Sequence, residues 1–307
     1  MSKLVLGTVQ FGLQYGVNSA GRPSEEAVSN ILAEASKGGI ATLDTSSAYG
    51  NSEDILGECI TSNESFKIVS KYPKGEIPVG DIFNSSLKRL KVKQLYGYLL
   101  HHFDVYNNNP KVWDEFEALK ESGKVQKIGF SLYSPEELQF ILDQKSPFDL
   151  IQVPFNIFDK KFLPLMKELH DKGVEIHVRS TFLQGLFFKD RNALPEKLKP
   201  LKKYLLQLDD FSKQSGLSIS EIALNYNLQN PYIDGVLIGV DNVEQLKTNL
   251  ASVKDTPIDI EIEVKEKELL NPANWNYNES ISNYTGSLRF YPFACQNIEG
   301  GQWYNPS

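Results

Sequence analysis

Eight short apolar runs rich in β-branched residues alternate with segments of helical spacing, and this alternation constrains the fold more than any other feature. The predicted strands are residues 3–9, 41–46, 66–72, 95–102, 127–133, 150–156, 175–181 and 235–240. Strictly alternating strands and helices favour a parallel sheet, because parallel neighbours need a crossover connection. Eight such units can close into a ring, so we expect an α/β fold of the (β/α)8 TIM-barrel type.

An open, doubly wound parallel sheet is the alternative arrangement of the same elements. Such a sheet, when it binds a dinucleotide, carries a Gly-x-Gly-x-x-Gly turn after its first strand. The sequence after residue 9 reads Gln-Phe-Gly-Leu-Gln-Tyr-Gly and lacks that turn. The count of eight strands and the missing turn both favour the closed barrel.

Capping residues and apolar spacing predict the helices between the strands. Ser24 is expected to cap the first of them, with Gly38 and Gly39 marking its end. Further helices are predicted over residues 135–145, 160–172, 220–229 and 243–252.

Two regions depart from the repeating pattern. The connection between the last two strands, residues 182–232, is longer than the others and charged in its first half, which is typical of a surface insertion. Beyond residue 270 the chain becomes rich in Asn, Ser, Gly and aromatic residues. We therefore expect one barrel domain over residues 1–270 and a C-terminal extension over residues 271–307, whose aromatic side chains pack on the barrel or at its mouth.

Composition excludes several classes of protein. The 307-residue chain is 41% hydrophobic and 23% charged, as globular proteins are, and no apolar run approaches the ~20 residues that span a bilayer. Its formal net charge of −7 disfavours nucleic acid and anionic membranes as partners. The two cysteines, Cys59 and Cys295, and the lack of a signal-peptide pattern indicate a reducing, cytoplasmic environment. Composition does not predict the oligomeric state.

Polar side chains gather where three consecutive predicted strands end. Asp44 and Tyr49 follow the second strand, Lys71 follows the third, and His101 and His102 follow the fourth. Enzymes with a barrel fold carry their reactive groups at the C-terminal ends of the strands. Because neighbouring residues of a strand point to opposite faces, only one of the two histidines is expected to face the barrel mouth.

Each of these residues alone has an ordinary structural explanation. Asp44 can accept hydrogen bonds in a turn, Lys71 can lie at the surface, and Tyr49 can pack in a loop. Together they form an acid–base unit, because a buried lysine needs a carboxylate partner. We expect the Lys71 cation, and more weakly the N-terminus of a helix starting near residues 51–53, to lower the pKa of Tyr49 from about 10. Tyr49 would then donate a proton, and His101 would orient a substrate oxygen.

The order of the motifs resembles the aldo-keto reductase superfamily over residues 4–250. The matching segments are 6–12 (Leu-Gly-Thr-Val-Gln-Phe-Gly), 44–53 (Asp-Thr-Ser-Ser-Ala-Tyr-Gly-Asn-Ser-Glu) and 123–131 (Gly-Lys-Val-Gln-Lys-Ile-Gly-Phe-Ser). The resemblance implies a (β/α)8 barrel and reversible hydride transfer between a nicotinamide cofactor and a carbonyl or alcohol. It also implies that Asp44, Tyr49, Lys71 and His101 are the catalytic residues, with His101 matching the family position better than His102.

The resemblance further implies a binding site for NADPH or NADH. Ser131 and Gln152 match residues that hold the nicotinamide carboxamide, although Leu132 replaces the usual Asn beside that serine. Arg179 stands where an aromatic residue usually stacks on the nicotinamide ring, and a planar guanidinium can stack as well. The complete set of implied cofactor residues is Gly7, Thr8, Ser131, Gln152, Arg179, Ser180, Leu183, Gly185, Gly239, Asp241, Gln245 and Asn249.

The segment 238–249 resembles the family's clamp for the adenosine phosphate, and a helix N-terminus after the eighth strand suits a phosphate. Members that prefer NADPH often carry Lys and Arg at the positions of Gly239 and Gln245. Neither position is charged here, and Asp241 between them suits a free ribose hydroxyl better than a phosphate. We therefore expect NADH to serve at least as well as NADPH, with Lys247 as the residue that could favour the phosphate.

The substrate is predicted only as a class. Gln10, Tyr133 and Phe155 are expected to line its pocket together with tail aromatics, and a mixed aromatic and polar rim suits a sugar, a sugar derivative or a small aldehyde. Segments 6–16 and 179–185 resemble bacterial members associated with sugar and surface-polysaccharide metabolism.

Three functions are compatible with such a barrel. The preferred one is NAD(P)H-dependent reduction of an aldehyde, ketone or sugar with Tyr49 as the general acid. The alternative is a nucleotide-binding regulatory or scaffold subunit without turnover. A metal-dependent hydrolase or lyase is not expected, because His170 and His177 fall on a helix and within a strand, away from His101 and His102.

Overall fold

A closed ring of eight parallel strands forms the centre of the molecule, and the predicted α/β barrel of the (β/α)8 type is confirmed. The computed structural model describes residues 2–15, 21–61, 65–75 and 77–275. Strand β1 pairs with both β2 and β8, which closes the ring. The strands are β1 (Leu4–Gly7), β2 (Thr42–Asp44), β3 (Lys67–Tyr72), β4 (Leu95–Leu100), β5 (Val125–Ser131), β6 (Leu150–Pro154), β7 (Glu175–Arg179) and β8 (Gly235–Gly239).

Helices surround this ring and fill the connections between strands. They are α1 (Val9–Gly12), α2 (Glu25–Lys37), α3 (Ser52–Cys59), α4 (Val79–Leu90), α5 (Phe103–Asn108), α6 (Val112–Glu121), α7 (Pro135–Asp143), α8 (Leu163–Asp171), α9 (Lys202–Ser215), α10 (Ile219–Leu228) and α11 (Val243–Ala251). None of these helices has the length and apolar character needed to cross a bilayer, as far as the described residues go.

Helix α2 begins and ends where its capping residues predict. The Ser24 hydroxyl accepts a hydrogen bond from the backbone N–H of Ala27 at 3.2 Å. Gly38 is the C-cap, and Gly39 has a left-handed φ of 77°. The chain can therefore reverse from α2 into β2 within a few residues.

A small apolar cluster inside the ring supports the site above it. Val69, Leu99 and Leu150 come from β3, β4 and β6, are fully buried, and contact one another. Because side chains repeat on one face of a strand every second residue, the residue two positions further along each strand also faces the interior, one layer nearer the C-terminal end.

The long connection between β7 and β8 is more than the surface insertion that the sequence suggests. It contains short 3-10 segments at Leu183–Phe188 and Glu196–Leu201, then α9 and α10. Its apolar side chains form a second buried cluster with residues from elsewhere in the chain, including Ile157 and Trp275. The charged residues of this connection correctly indicated that part of it is exposed. Its leucines, which are widely spaced in the sequence, form a separate buried core.

The chain continues this second cluster beyond the predicted domain boundary at residue 270. Trp275 is 1% exposed, and its indole N–H donates to the backbone oxygen of Leu269 at 2.6 Å. The tail aromatics Tyr291, Phe293, Trp303 and Tyr304, as well as Cys295, lie outside the described residues. The packing of residues 276–307 therefore stays a prediction.

Candidate active site

Three interior side chains stand one layer above the buried apolar cluster, at the C-terminal end of the barrel. Lys71 follows Val69 by two positions, and Gln152 follows Leu150 in the same way. His101 lies directly after β4, two positions beyond Leu99. Strand periodicity therefore brings these polar groups to one mouth, as the sequence predicts.

A buried ion pair forms the base of the site. Lys71 Nζ donates to Asp44 Oδ1 at 2.6 Å and to the backbone oxygen of Thr45 at 2.8 Å. The side-chain amide of Gln152 donates to the other carboxylate oxygen, Asp44 Oδ2, at 2.7 Å. Burial lowers the pKa of Lys71, while the charge and hydrogen bond of Asp44 oppose that effect. The carboxylate is thus held from two sides of the barrel, and it compensates the buried ammonium.

Tyr49 lies over this pair, in the turn between β2 and α3. Lys71 Nζ is 5.0 Å from the centroid of the Tyr49 ring, and the ring of His101 is 5.6 Å away in an edge-on arrangement. The turn packs against Gly12 of α1 so closely that a Cβ there would fall 1.8 Å from the backbone oxygen of Tyr49. Only glycine fits at that contact, which explains its place in the opening motif.

The expected lowering of the Tyr49 pKa is wrong in direction. Burial and then the negative charges of Asp44 and Tyr133 raise the pKa of Tyr49 well above its usual value, and Arg179 opposes them. The main reason is burial, which disfavours the phenolate, and the Asp44 carboxylate adds to it. Tyr49 is therefore protonated at neutral pH, which is the form that donates a proton.

His101 is 8% exposed and is held by a residue that sequence reasoning missed. The Ser46 hydroxyl lies 3.2 Å from His101 Nδ1, and the same oxygen accepts a hydrogen bond from the N–H of Ala48. Burial, with added repulsion from Lys71, His102 and Arg179, lowers the pKa of His101 well below its usual value. The imidazole is neutral, so Nδ1 either donates to or accepts from Ser46; because the Ser46 oxygen already accepts from Ala48, we expect its O–H to donate to Nδ1 and the ring proton to be on Nε2.

The two histidines do not point to opposite sides, which corrects the prediction from strand alternation. Their ring centroids are 4.8 Å apart. Strand β4 ends at Leu100, and His102 is the residue before α5, so alternation no longer applies to the pair.

Arg179 and Tyr133 form a stacked pair at the same mouth. The guanidinium carbon lies 4.2 Å from the centroid of the Tyr133 ring, and Nη2 donates to the backbone oxygen of Leu132 at 3.1 Å. Arg179 also influences the pKa values of Tyr49 and His101. It therefore lies near the reacting groups and stacks on a protein side chain, where the sequence suggests stacking on the nicotinamide ring.

Tyr15 is a second residue of the mouth that sequence reasoning did not single out. Its hydroxyl accepts a hydrogen bond from the side-chain amide of Gln184 at 2.9 Å. Burial, then the charges of Tyr49 and Tyr133, raise the pKa of Tyr15 to about 12. The opening motif gives no spacing that would have identified this tyrosine, because it follows α1 in an irregular segment.

The predicted carboxamide-binding residues lie side by side. Ser131 at the end of β5 is in register with Gln152 of β6, and both are buried. Near β1, the Thr8 hydroxyl donates to the backbone oxygen of Asp44 at 3.0 Å and accepts from Ser52 at 2.9 Å. Gly7 at the end of β1 is in register with Gly239 of β8.

The segment after β7 has unusual backbone geometry at the predicted pyrophosphate contacts. Ser180, Leu183, Gln184 and Gly185 all have left-handed φ values, between 46° and 88°. Such a conformation is costly for residues other than glycine, and it is found where surrounding structure and function require it.

The predicted adenosine-phosphate segment lies at the N-terminus of α11. Asn242 caps this helix by accepting from the N–H of Gln245 at 2.9 Å, and the Gln245 side chain accepts from the N–H of Asp241 at 2.8 Å. Asn249 is 8% exposed on the same helix, two turns further along.

Two of the three expected substrate residues have other environments. Gln10 packs against Gly239, where a Cβ would lie 2.3 Å from Gln10 Nε2, and Gln10 Oε1 is buried without a hydrogen-bond partner. Phe155 is 1% exposed and stacks on Tyr226 of α10, with ring centroids 5.9 Å apart. Phe155 therefore packs between the barrel and α10, and a role for Gln10 or Phe155 in lining the substrate pocket stays a prediction.

A separate polar cavity of about 350 Å³ opens at the N-terminal end of the barrel. Tyr96 and His177 each lie 2.6 Å from a carboxylate oxygen of Glu175 there, and Lys127 also pairs with Glu175. Among residues 2–15, 21–61, 65–75 and 77–275, no three His, Cys, Asp or Glu side chains are arranged to hold a metal ion.

Comparisons with known proteins agree with the fold. The model of the aldo/keto reductase family matches residues 3–265. Oxidoreductase YqkF of Bacillus subtilis (strain 168) is 26% identical over 283 residues, which cover 81% of this chain and 90% of that protein. L-galactose dehydrogenase of Arabidopsis thaliana is 27% identical over 279 residues, covering 82% of this chain and 86% of that protein.

A solved structure shows the same fold. Aldo-keto reductase AKR11C1 of Bacillus halodurans, in its holo form, superposes with a TM-score of 0.66 at 22% identity, over 84% of this chain and 88% of that one. Since the family model spans most of the residues that build the barrel, the chain belongs to the aldo/keto reductase family, and its general activity is that of an oxidoreductase.

Proposed function

We propose that the protein catalyses reversible reduction of a small carbonyl compound by NADH or NADPH, with Tyr49 as the general acid. The observation that carries this proposal is the meeting of Tyr49, the Lys71–Asp44 ion pair and His101 at one mouth of the barrel. General acid catalysis needs a proton donor near the reacting oxygen, and barrel enzymes bind their substrates at this end.

The residues around the mouth fit a nicotinamide dinucleotide. Ser131 and Gln152 lie side by side, and because the Gln152 amide nitrogen is committed to Asp44, its carbonyl oxygen and the Ser131 hydroxyl can serve a carboxamide. At the other end of the expected site, Gly239 is exposed and has no side chain to cover its backbone. The N-terminus of α11, which follows it, suits a phosphate. When bound, the cofactor supplies the hydride.

Tyr49 holds the proton at its phenolic oxygen until the substrate oxygen becomes basic. Its raised pKa keeps the phenol protonated across the neutral range, so the acid form is always available. During reduction negative charge develops on the substrate oxygen, and a proton from Tyr49 neutralises it. Lys71 lies beside the ring and stabilises the phenolate that remains, so it acts on the state after proton transfer.

His101 orients the substrate oxygen as a neutral hydrogen-bond donor. Its lowered pKa leaves it uncharged, and the contact between Ser46 and Nδ1 favours a proton on Nε2. A neutral donor can stabilise developing charge without delivering its own proton, so Tyr49 and His101 have separate roles.

The helix α11 region supports use of NADH at least as well as NADPH. The Gln245 side chain and Asn242 are engaged in capping the helix, and neither Gly239 nor Gln245 supplies a cation for a 2′-phosphate. Steady-state kcat/KM values with the two cofactors test this expectation. Comparable values or higher ones with NADH support it, and a strong preference for NADPH contradicts it, with Lys247 then the first residue to substitute.

The substrate is proposed as an aldehyde, ketone or sugar of modest size. Tyr133 and Tyr15 contribute aromatic and hydroxyl surface at the mouth, which suits a hydroxylated carbonyl compound. The sugar dehydrogenase among the relatives supports testing sugars first. A panel of aldehydes, ketones and sugars, followed by nicotinamide absorbance with both cofactors, is the direct experiment.

A regulatory or scaffold subunit that binds nucleotide without turnover is the alternative function. Such a protein could lose any of the four residues without consequence, yet Asp44, Tyr49, Lys71 and His101 are all present and in contact range. Tight cofactor binding with no reduction of any compound in the panel would favour this alternative.

A further inference from the structure

Arg179 brings a positive charge to the mouth of the barrel, next to Tyr133 and Leu132. Asp44 neutralises Lys71 at 2.6 Å, and His101 is uncharged. Arg179 remains, because no described acidic side chain lies within ion-pair distance of its guanidinium. A half-buried, permanently charged arginine without a carboxylate partner is unusual, because desolvating the charge costs free energy.

The setting of Arg179 holds this charge in place. Its guanidinium stacks on Tyr133 at 4.2 Å, and one of its five N–H donors is used by the backbone oxygen of Leu132. The ring contact and the hydrogen bond hold the guanidinium at this place, and its other four N–H donors have no hydrogen-bond partner among the described residues. A fixed guanidinium edge is the geometry that recognises a carboxylate or phosphate with two parallel hydrogen bonds.

We propose that Arg179 binds an anionic group, a carboxylate or a phosphate, carried by the carbonyl substrate. The substrate class is then an acidic aldehyde or ketone rather than a neutral one. This inference rests on the proposed carbonyl reduction, because it concerns the same mouth.

The position of Arg179 favours the substrate over the phosphates of the cofactor. Its positive charge lowers the pKa values of groups around the reacting centre. These groups are Tyr49, His101, His102, Lys71 and Tyr15. The expected pyrophosphate contacts begin at the next residue, Ser180, but the Arg179 side chain reaches away from that segment to Leu132 and Tyr133 after β5. An anion near Arg179 is therefore next to the carbonyl that Tyr49 protonates.

Two matched pairs of substrates test the inference on the full chain. Butanal is compared with succinic semialdehyde, and glyceraldehyde with glyceraldehyde 3-phosphate. For at least one pair we expect the wild-type protein to show a kcat/KM about tenfold or more higher for the anionic member, mainly through KM. A preference in the first pair identifies a carboxylate as the recognised group, and a preference in the second identifies a phosphate.

Substitution of Arg179 separates recognition of the substrate from a structural role. Arg179→Gln should raise KM for the anionic member about tenfold or more and lower the ratio of kcat/KM between the anionic and the neutral member by a similar factor, with the cofactor Kd measured beside it. Arg179→Lys should recover part of the preference, since it keeps the charge but not the planar fork. Lys74→Gln is the matched control, because Lys74 is a cation at the same end of the barrel that already pairs with Asp104. That variant should keep the wild-type preference.

A binding readout keeps the test valid if no compound is turned over. With saturating oxidised cofactor, succinate or inorganic phosphate should raise the Tm of the wild-type protein and of Lys74→Gln, but not that of Arg179→Gln. Equal kcat/KM for neutral and charged members, or an Arg179→Gln variant that loses cofactor affinity and both substrates together, overturns the inference. Anion-dependent stabilisation without reduction of any carbonyl supports the subsite while contradicting the proposed function. If neither reduction nor anion-dependent stabilisation is observed, both are rejected.

Discussion

Lys71 is fully buried, and the fold tolerates its ammonium because Asp44 and the backbone oxygen of Thr45 accept from it. The need for a carboxylate near this lysine could be predicted from the sequence. The hydrogen bond from Gln152 to Asp44 could not be predicted, because Gln152 is 108 positions away and reaches the carboxylate across the barrel interior. The direction of the Tyr49 pKa could not be predicted either, because it depends mainly on how deeply the fold buries this side chain.

Ser46 offers a test of how His101 is oriented. We expect Ser46→Ala to lower kcat about tenfold with little change in KM, because the imidazole loses the contact that favours a proton on Nε2. The fold should be preserved, since alanine fits where serine was. Steady-state kinetics and a thermal unfolding curve measure both effects. An unchanged kcat would mean that Ser46 does not set the tautomer.

The alternation of residues within the predicted strands indicates which side chains face the interior of the ring. All eight predicted strands are present, and the alternation within β3 and β6 places an apolar residue inside the ring with a functional polar residue two positions later. Alternation failed only at His101 and His102, where the strand had already ended. Periodicity predicts on which face of a strand each residue lies, but it does not predict the residue at which the strand ends.

The N-terminal end of β7 carries a polar network whose pH dependence can be measured. Burial alone would raise the pKa of Glu175, but hydrogen bonds from His177, Lys127 and Tyr96 outweigh it and lower that pKa to about 2. The ionised Glu175 therefore stabilises the fold fully above the pKa of the unfolded state, about 4.3. This stabilisation is lost as the pH falls toward 2. We expect Glu175→Gln to reduce the free energy of unfolding by about 2 kcal/mol at pH 7, with the difference shrinking below pH 4.

Urea unfolding at pH 7 and pH 3 measures this difference. Glu168→Gln is the control, because Glu168 forms an exposed pair with Lys172 and should contribute little at either pH. A destabilisation of Glu175→Gln that is the same at both pH values would show that the carboxylate charge is not the cause.

In the molecule as a whole, the described residues form two large buried clusters besides the small one inside the ring. The main core lies between the ring and its helices, and the second lies under the connection from β7 to β8. The sequence predicts the first core because helix and strand spacing repeat regularly there. It does not predict the second, because leucines in irregular and 3-10 segments follow no period and also pack against separate parts of the chain such as Ile157 and Trp275.

Trp275 closes the second cluster and lies beyond the predicted barrel boundary. We expect Trp275→Ala to lower the free energy of unfolding by about 3–5 kcal/mol, because it removes a fully buried ring and leaves a cavity. Phe188→Ala is the control, since that side chain is 45% exposed and its loss should cost far less. Denaturant unfolding of the two variants tests whether the structural unit extends past residue 270. Equal, small losses would contradict it.

The proposed carbonyl reduction depends on proton delivery by Tyr49, and the kinetics of Tyr49→Phe measure that role. The phenylalanine keeps the ring beside Lys71 and His101 and removes only the hydroxyl. For a carbonyl that the wild-type protein reduces, we expect kcat to fall by about 10²- to 10⁴-fold, while the Kd for the cofactor, measured by fluorescence, changes less than about twofold. Turnover within tenfold of the wild-type rate would remove Tyr49 from the acid role and contradict the account.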